Sequence, residues 1–168
     1  NAAGAETGNK ERYVEKAALS LDGSAHIASF KEKYEKLTKQ HRTLKVAEPK
    51  FAEHRNSVFF PYLVGETCAE KLGEQLEGGQ LPLDVQIVMN QIYDISPECR
   101  SAFNRTEEFD EVFGADLTEE EQKLLLSDTA CEVSNIDALF ENMLMTREGI
   151  YCLDYEWVFL FPVPEHFV

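Results

Sequence analysis

Three polar residues in the last third of the chain have the types and spacing that phosphoryl transfer uses. Asp137 and Asn142 form a D-x4-N pair, and Asp154 follows at the end of the apolar stretch 149–153. In that chemistry one Asp orients an acceptor hydroxyl and takes its proton. An Asn and a second Asp offer hard oxygens to a Mg²⁺ ion that bridges nucleotide phosphates. Residues 143–153 read as a tight hairpin turning at Arg147-Glu148-Gly149, which brings Asn142 and Asp154 together. A second reading of the same stretch competes with this one. Ile136, Leu139, Phe140 and Met143 are spaced as the apolar stripe of a helix capped by Ser134, which leaves Asp137 and Asn142 as ordinary solvated residues.

The elements that must hold these residues can be read in chain order. Residues 12–19 alternate as a short strand, and Ser24 caps a helix running to His41 with Ile27, Phe30, Tyr34 and Leu37 on its apolar stripe. Residues 44–47 and 57–64 read as strands, separated by turn signals at Glu48-Pro49 and Arg55-Asn56. Thr67 and Glu70 form a capping box that opens a helix to about Glu77, and Gly78-Gly79 stops it. A further helix spans 82–95, with Val85, Val88, Met89 and Ile92 inward and Pro97 beyond its end. Phe103, Phe109, Val112 and Phe113 read as core anchors on short helical pieces over 98–114. Thr118 and Glu121 form a second capping box, opening a helix toward Ser127. Trp157, Phe159 and Phe161 read as core or as a partner-facing patch. The order predicts an α+β fold, with a small antiparallel sheet lobe over 12–64 and a mostly helical lobe over 65–168 that carries the hairpin near 143–153. Residues 1–11 read as a flexible lead-in or tag remnant.

Composition narrows the function classes. A chain of 168 residues with 43% hydrophobic residues can bury a core without disulfide or metal staples. Its 31 Asp+Glu against 16 Lys+Arg give a net charge of −15, which repels phosphate backbones and anionic lipid, so nucleic acid is not an expected partner. No apolar run reaches the roughly 20 residues of a spanning helix. The first ten residues have neither a basic start nor an apolar stretch, so they do not read as a signal peptide, and the expected location is cytoplasmic. Cys68, Cys99, Cys131 and Cys152 are far apart and read as reduced thiols. The four His residues show no pairing suited to structural zinc.

The order of motifs resembles the protein-kinase-like superfamily, in particular its small-molecule branch of aminoglycoside phosphotransferases and choline kinases. Asp137-x4-Asn142 resembles that family's catalytic loop, and Leu153-Asp154-Tyr155-Glu156-Trp157 resembles its metal-binding segment. Residues 57–67, Ser-Val-Phe-Phe-Pro-Tyr-Leu-Val-Gly-Glu-Thr, are similar to the hinge between lobes, and Val14-Glu15-Lys16 to the strand with the phosphate-binding Lys. The resemblance implies a truncated kinase-like fold. In it Asp137 is the base, Asn142 and Asp154 hold Mg²⁺, and Lys16 meets the phosphates of ATP or GTP, with Glu32 or Glu35 as candidate partners for Lys16. The implied partners are a nucleotide and a small-molecule acceptor such as a sugar. Three departures stand beside this. No Gly-rich loop precedes Lys16, the His usual before the catalytic Asp is replaced in Ser134-Asn135-Ile136-Asp137, and the chain ends 14 residues after Asp154. The stretch from Asp154 to Pro164 also looks like kinase-like segments of large bacterial glycosyltransferases of surface-polysaccharide synthesis. That likeness implies an alternative, a non-catalytic scaffold or regulatory module working with the other domains of such an enzyme.

Overall fold

A computed structural model describes residues 12–52, 56–79, 83–114 and 117–166. The expected lead-in over 1–11, the turn position Arg55 and the helix start at Pro82 lie outside the described residues. The first sheet is built on β4 (Ser57–Pro61), with β1 (Tyr13–Ala17) and β3 (Lys50–Phe51) antiparallel on its two sides. Lys16 stands opposite Val58 and Val14 opposite Phe60, so Lys16 shares a sheet face with two buried apolar residues. Helix α1 (Leu21–Gln40) packs there through Ile27, Phe30 and Leu37. Its N-cap is Ser20, not Ser24. Ser20 is extended and its hydroxyl accepts the Gly23 N–H, which places Ser24 inside the first turn.

A second sheet has the order β2-β10-β9-β5. It comprises β2 (Lys45–Val46), β5 (Glu66–Thr67), β9 (Met143–Thr146) and β10 (Gly149–Cys152). The hairpin of β9 and β10 forms as the sequence predicts, with Met143 opposite Cys152. Its turn needs Gly149, whose φ of +132° is a conformation closed to residues with a Cβ. β2 joins β10 in parallel, so a strand from residues 12–64 is paired to the hairpin in residues 65–168. Helix α2 (Cys68–Glu77) starts at the predicted capping box, with Thr67 and Glu70 bonded in both directions, and α3 (Leu83–Ile92) follows.

The second half holds more strand than expected. β6 (Arg100–Ala102), β7 (Thr129–Cys131) and β12 (Val163–Pro164) form a third sheet. Between β6 and β7 lie α4 (Glu107–Phe113) and α5 (Glu119–Leu126), the latter opened by the Thr118–Glu121 box. β8 (Ser134–Asn135) pairs with β11 (Val158–Phe159). The molecule is therefore α+β, with small sheets and five helices among the described residues. Two cores result. The larger gathers Phe30, Val58, Phe60, Met143, Cys152 and Tyr155, and the smaller gathers Phe103, Phe109, Ala130 and Val163. Val112 is 52% exposed and is not a core anchor, because α4 buries its Phe109–Phe113 side instead. All four cysteines are buried free thiols. No described helix is long and apolar enough to cross a membrane.

His41, at the end of α1, gives the fold an acid limit. Burial lowers its imidazole pKa from 6.5 to about 4, and Asp94 and a backbone hydrogen bond at Ile92 offset this only in part. Its Nδ1 is buried without a hydrogen-bond partner. Below pH 6.5 the unfolded chain takes up a proton that the folded chain refuses, so stability falls as pH drops from 6.5 toward about 4. Urea unfolding at pH 7 and pH 4 should show wild type losing about 2–3 kcal/mol more than His41→Gln over that interval. Equal losses in the two proteins would contradict this.

Candidate functional site

The segment 154–157 follows β10 and bends at Glu156 and Trp157. Tyr155 turns inward and is fully buried, while Asp154 and Glu156 turn to the other side and meet Lys16. The Lys16 ammonium donates to both carboxylate oxygens of Asp154 at 2.9 Å and to Glu156 Oε1 at 2.5 Å. Burial alone would lower the Lys16 pKa, but the hydrogen bonds and charges of Glu156 and Asp154 outweigh it and hold the ammonium above its ordinary value. Lys16 therefore remains a cation across the physiological range.

Asp137 and Asn142 arrive from the other side of the same segment. The stretch 136–142 is not a regular helix. Asn135 Oδ1 accepts the Asp137 N–H at 3.0 Å, only Phe140–Asn142 makes a single 3₁₀ turn, and β9 begins at Met143. The helical alternative fails because these backbone groups are committed to the Asn135 turn and to the hairpin. Ile136 and Leu139, which that helix would bury, are 40% and 53% exposed. The Leu153 N–H donates to the Asn142 carbonyl at 2.9 Å, so the hairpin carries the main chain of Asn142 to the residue before Asp154. Asn142 Nδ2 donates to the Asp137 carbonyl at 3.0 Å, and Asp137 Oδ2 accepts the Trp157 N–H at 3.2 Å. Lys16, Asp137 and Asn142 thus all meet residues 153–157, the segment that contains Asp154.

Two residues of this network were not singled out in the sequence. Lys33 on α1 is 5% exposed and donates to the Glu156 main-chain carbonyl at 2.5 Å. Its position was readable, since it lies three residues after Phe30 and four before Leu37, within the apolar stripe, where a lysine needs a buried acceptor. Glu32 and Glu35, the expected partners of Lys16, do not reach it. Both are exposed on the outer side of α1, and Glu32 pairs with Lys36 at 3.1 Å. Asn135 is the second, and its signal was an Asn two residues ahead of Asp137, the spacing of an Asx turn.

The Asn142 amide nitrogen is committed to the Asp137 carbonyl, and both Asp154 carboxylate oxygens accept from Lys16. Among the described residues no group of three or more His, Cys, Asp or Glu side chains could form a metal cage. The site is open to solvent on the Trp157 side, where the indole is 62% exposed and 6.3 Å from the His26 ring. Comparison with protein-family models, curated proteins and solved structures finds no match.

Proposed function

We propose that this chain is a kinase-like domain that transfers a phosphoryl group from a nucleotide to a hydroxyl of a sugar or similar small metabolite. The observation that carries the reading is that Lys16, Asp137 and Asn142 all meet the five-residue segment that contains Asp154, although 138 positions separate Lys16 from Asp154. In this reading Lys16 steadies the nucleotide phosphates. Asp137, held by the Trp157 N–H, keeps Oδ1 to receive the acceptor's proton. Asn142 and Asp154 would hold Mg²⁺, which when bound neutralises the charge that develops on the phosphates. The step conserves charge and atoms. The acceptor oxygen bonds to phosphorus, the bond to the nucleoside diphosphate breaks, and the acceptor proton passes to Asp137.

A second reading is favoured by a specific contact. Lys16 already holds three hydrogen bonds to two carboxylates, and α1 offers it no glutamate. Such a closed network suits a kinase-like scaffold or regulatory module of a bacterial glycosyltransferase in surface-polysaccharide synthesis. A thermal-shift titration with ATP and GTP, with and without Mg²⁺, separates the two. Ligand at about 100 times its dissociation constant adds roughly 2.7 kcal/mol, or about 5–10 °C for a domain of this size. The phosphotransfer reading expects this shift with Mg²⁺ in wild type and its loss in Asp154→Ala. No shift with either nucleotide would leave the scaffold reading.

A further inference from the structure

We propose that Lys33 is a positioning residue for Asp137, acting through the single peptide unit between Glu156 and Trp157. That peptide is held at both ends. Its carbonyl, on Glu156, accepts the Lys33 ammonium at 2.5 Å, and its N–H, on Trp157, donates to Asp137 Oδ2 at 3.2 Å. A peptide group is planar, so fixing the direction of the carbonyl fixes the direction of the N–H. A cation on the carbonyl also polarises the amide and strengthens its N–H as a donor. Lys33 therefore sets both the aim and the strength of the hydrogen bond that orients the Asp137 carboxylate.

Lys33 is well placed for this and for little else. The side chain is 5% exposed, and the ammonium lies 5.4 Å from the centre of the Phe30 ring. Burial lowers its pKa, and the nearby charges of Glu156 and Asp137 act in the opposite direction. A buried lysine retained on an apolar helix stripe, whose described hydrogen bond goes to one main-chain oxygen, is costly unless that oxygen matters. The neighbouring Lys16 holds the Glu156 side chain, so side chain and main chain of one residue are anchored by two different lysines.

The catalytic consequence rests on the phosphotransfer reading, but the geometry can be tested without turnover. In amide NMR spectra the Trp157 N–H signal should move in Lys33→Met to the position it takes in Asp137→Ala. Lys33→Gln, which keeps a donor without the charge, should give an intermediate position, and Lys33→Arg should restore the wild-type one. With an acceptor in hand, Lys33→Met should lower kcat by about tenfold to a hundredfold with the nucleotide KM little changed, as misplacement of a reacting group does. An unmoved Trp157 signal in folded Lys33→Met and Lys33→Gln would overturn the proposal. Absence of turnover in wild type would instead overturn the phosphotransfer reading, and the Trp157 signal would still decide the role of Lys33.

Discussion

Replacing Tyr155 with alanine should destabilise the domain by about 3–5 kcal/mol, a loss typical of large aromatic side chains removed from a close-packed core. Tyr155 is wholly buried, and its ring meets Phe30 at 5.4 Å and Phe60 at 5.8 Å, both edge to face. Phe30 and Phe60 themselves are 5.4 Å apart, so the three rings form one closed triangle between α1, β4 and the segment after β10. The Tyr155 hydroxyl also donates to the Ala47 carbonyl at 2.8 Å, just past the parallel pairing of β2 with β10. Burial raises the phenol's pKa, with smaller contributions from Cys152, Tyr34, Asp154 and Glu48 nearby, so it stays a neutral donor. Tyr155→Phe keeps the triangle and strands the Ala47 carbonyl, which is expected to cost about 1–3 kcal/mol. Urea unfolding measures both. A loss in Tyr155→Ala no larger than in Tyr155→Phe would mean that the triangle contributes little. Domains of this kind have only about 5–15 kcal/mol in total, so the alanine variant should be partly unfolded at physiological temperature if the wild type lies at the low end.

Under the proposed phosphotransfer reading, Asp137→Asn is expected to lower kcat by about 10²–10⁴, the contribution usual for a positioned base, while the protein stays folded. The substitution isolates proton transfer because the amide oxygen can still accept the Trp157 N–H that the carboxylate accepts now. The main-chain carbonyl of residue 137, which receives the Asn142 amide, is also unchanged. Steady-state kinetics on wild type and variant, with melting curves as the control for folding, would measure the effect. A loss of only about threefold would remove Asp137 from the role of base and leave it a structural acceptor.

The legible parts of this molecule are those with strong local signals. The two capping boxes mark α2 and α5 because Thr67 and Thr118 each bond reciprocally with the Glu three residues on. The hairpin is legible because Arg147-Glu148-Gly149 supplies a turn between two apolar runs, though it sets Asn142 against Leu153 rather than against Asp154. What was missed depends on distant partners. Strand β6, Arg100-Ser101-Ala102, has no alternation of its own and exists by pairing with β7, 29 positions further on at Ser101 and Ala130. The start of α1 was misplaced because Gly23 in the first turn weakens the signal that Ser20 would otherwise give. Lys33 is not singled out by the sequence because the carbonyl that accepts its hydrogen bond lies 123 positions away. The sequence thus singles out the carboxylates and amide that meet this segment, and not the lysine bonded to its main chain.

Strand β11 has a consequence for how accurately the site is placed. Its two residues face different interiors. Val158 belongs to the larger core, while Phe159 packs against the smaller one. A slip of β11 along β8 by a single position would exchange those faces, driving a benzyl ring where an isopropyl group fits and leaving the other cavity underfilled. Both errors are penalised at once, so the strand acts as a ruler with one permitted setting. Trp157 lies immediately before it, and the ruler's zero mark is therefore the amide that holds Asp137.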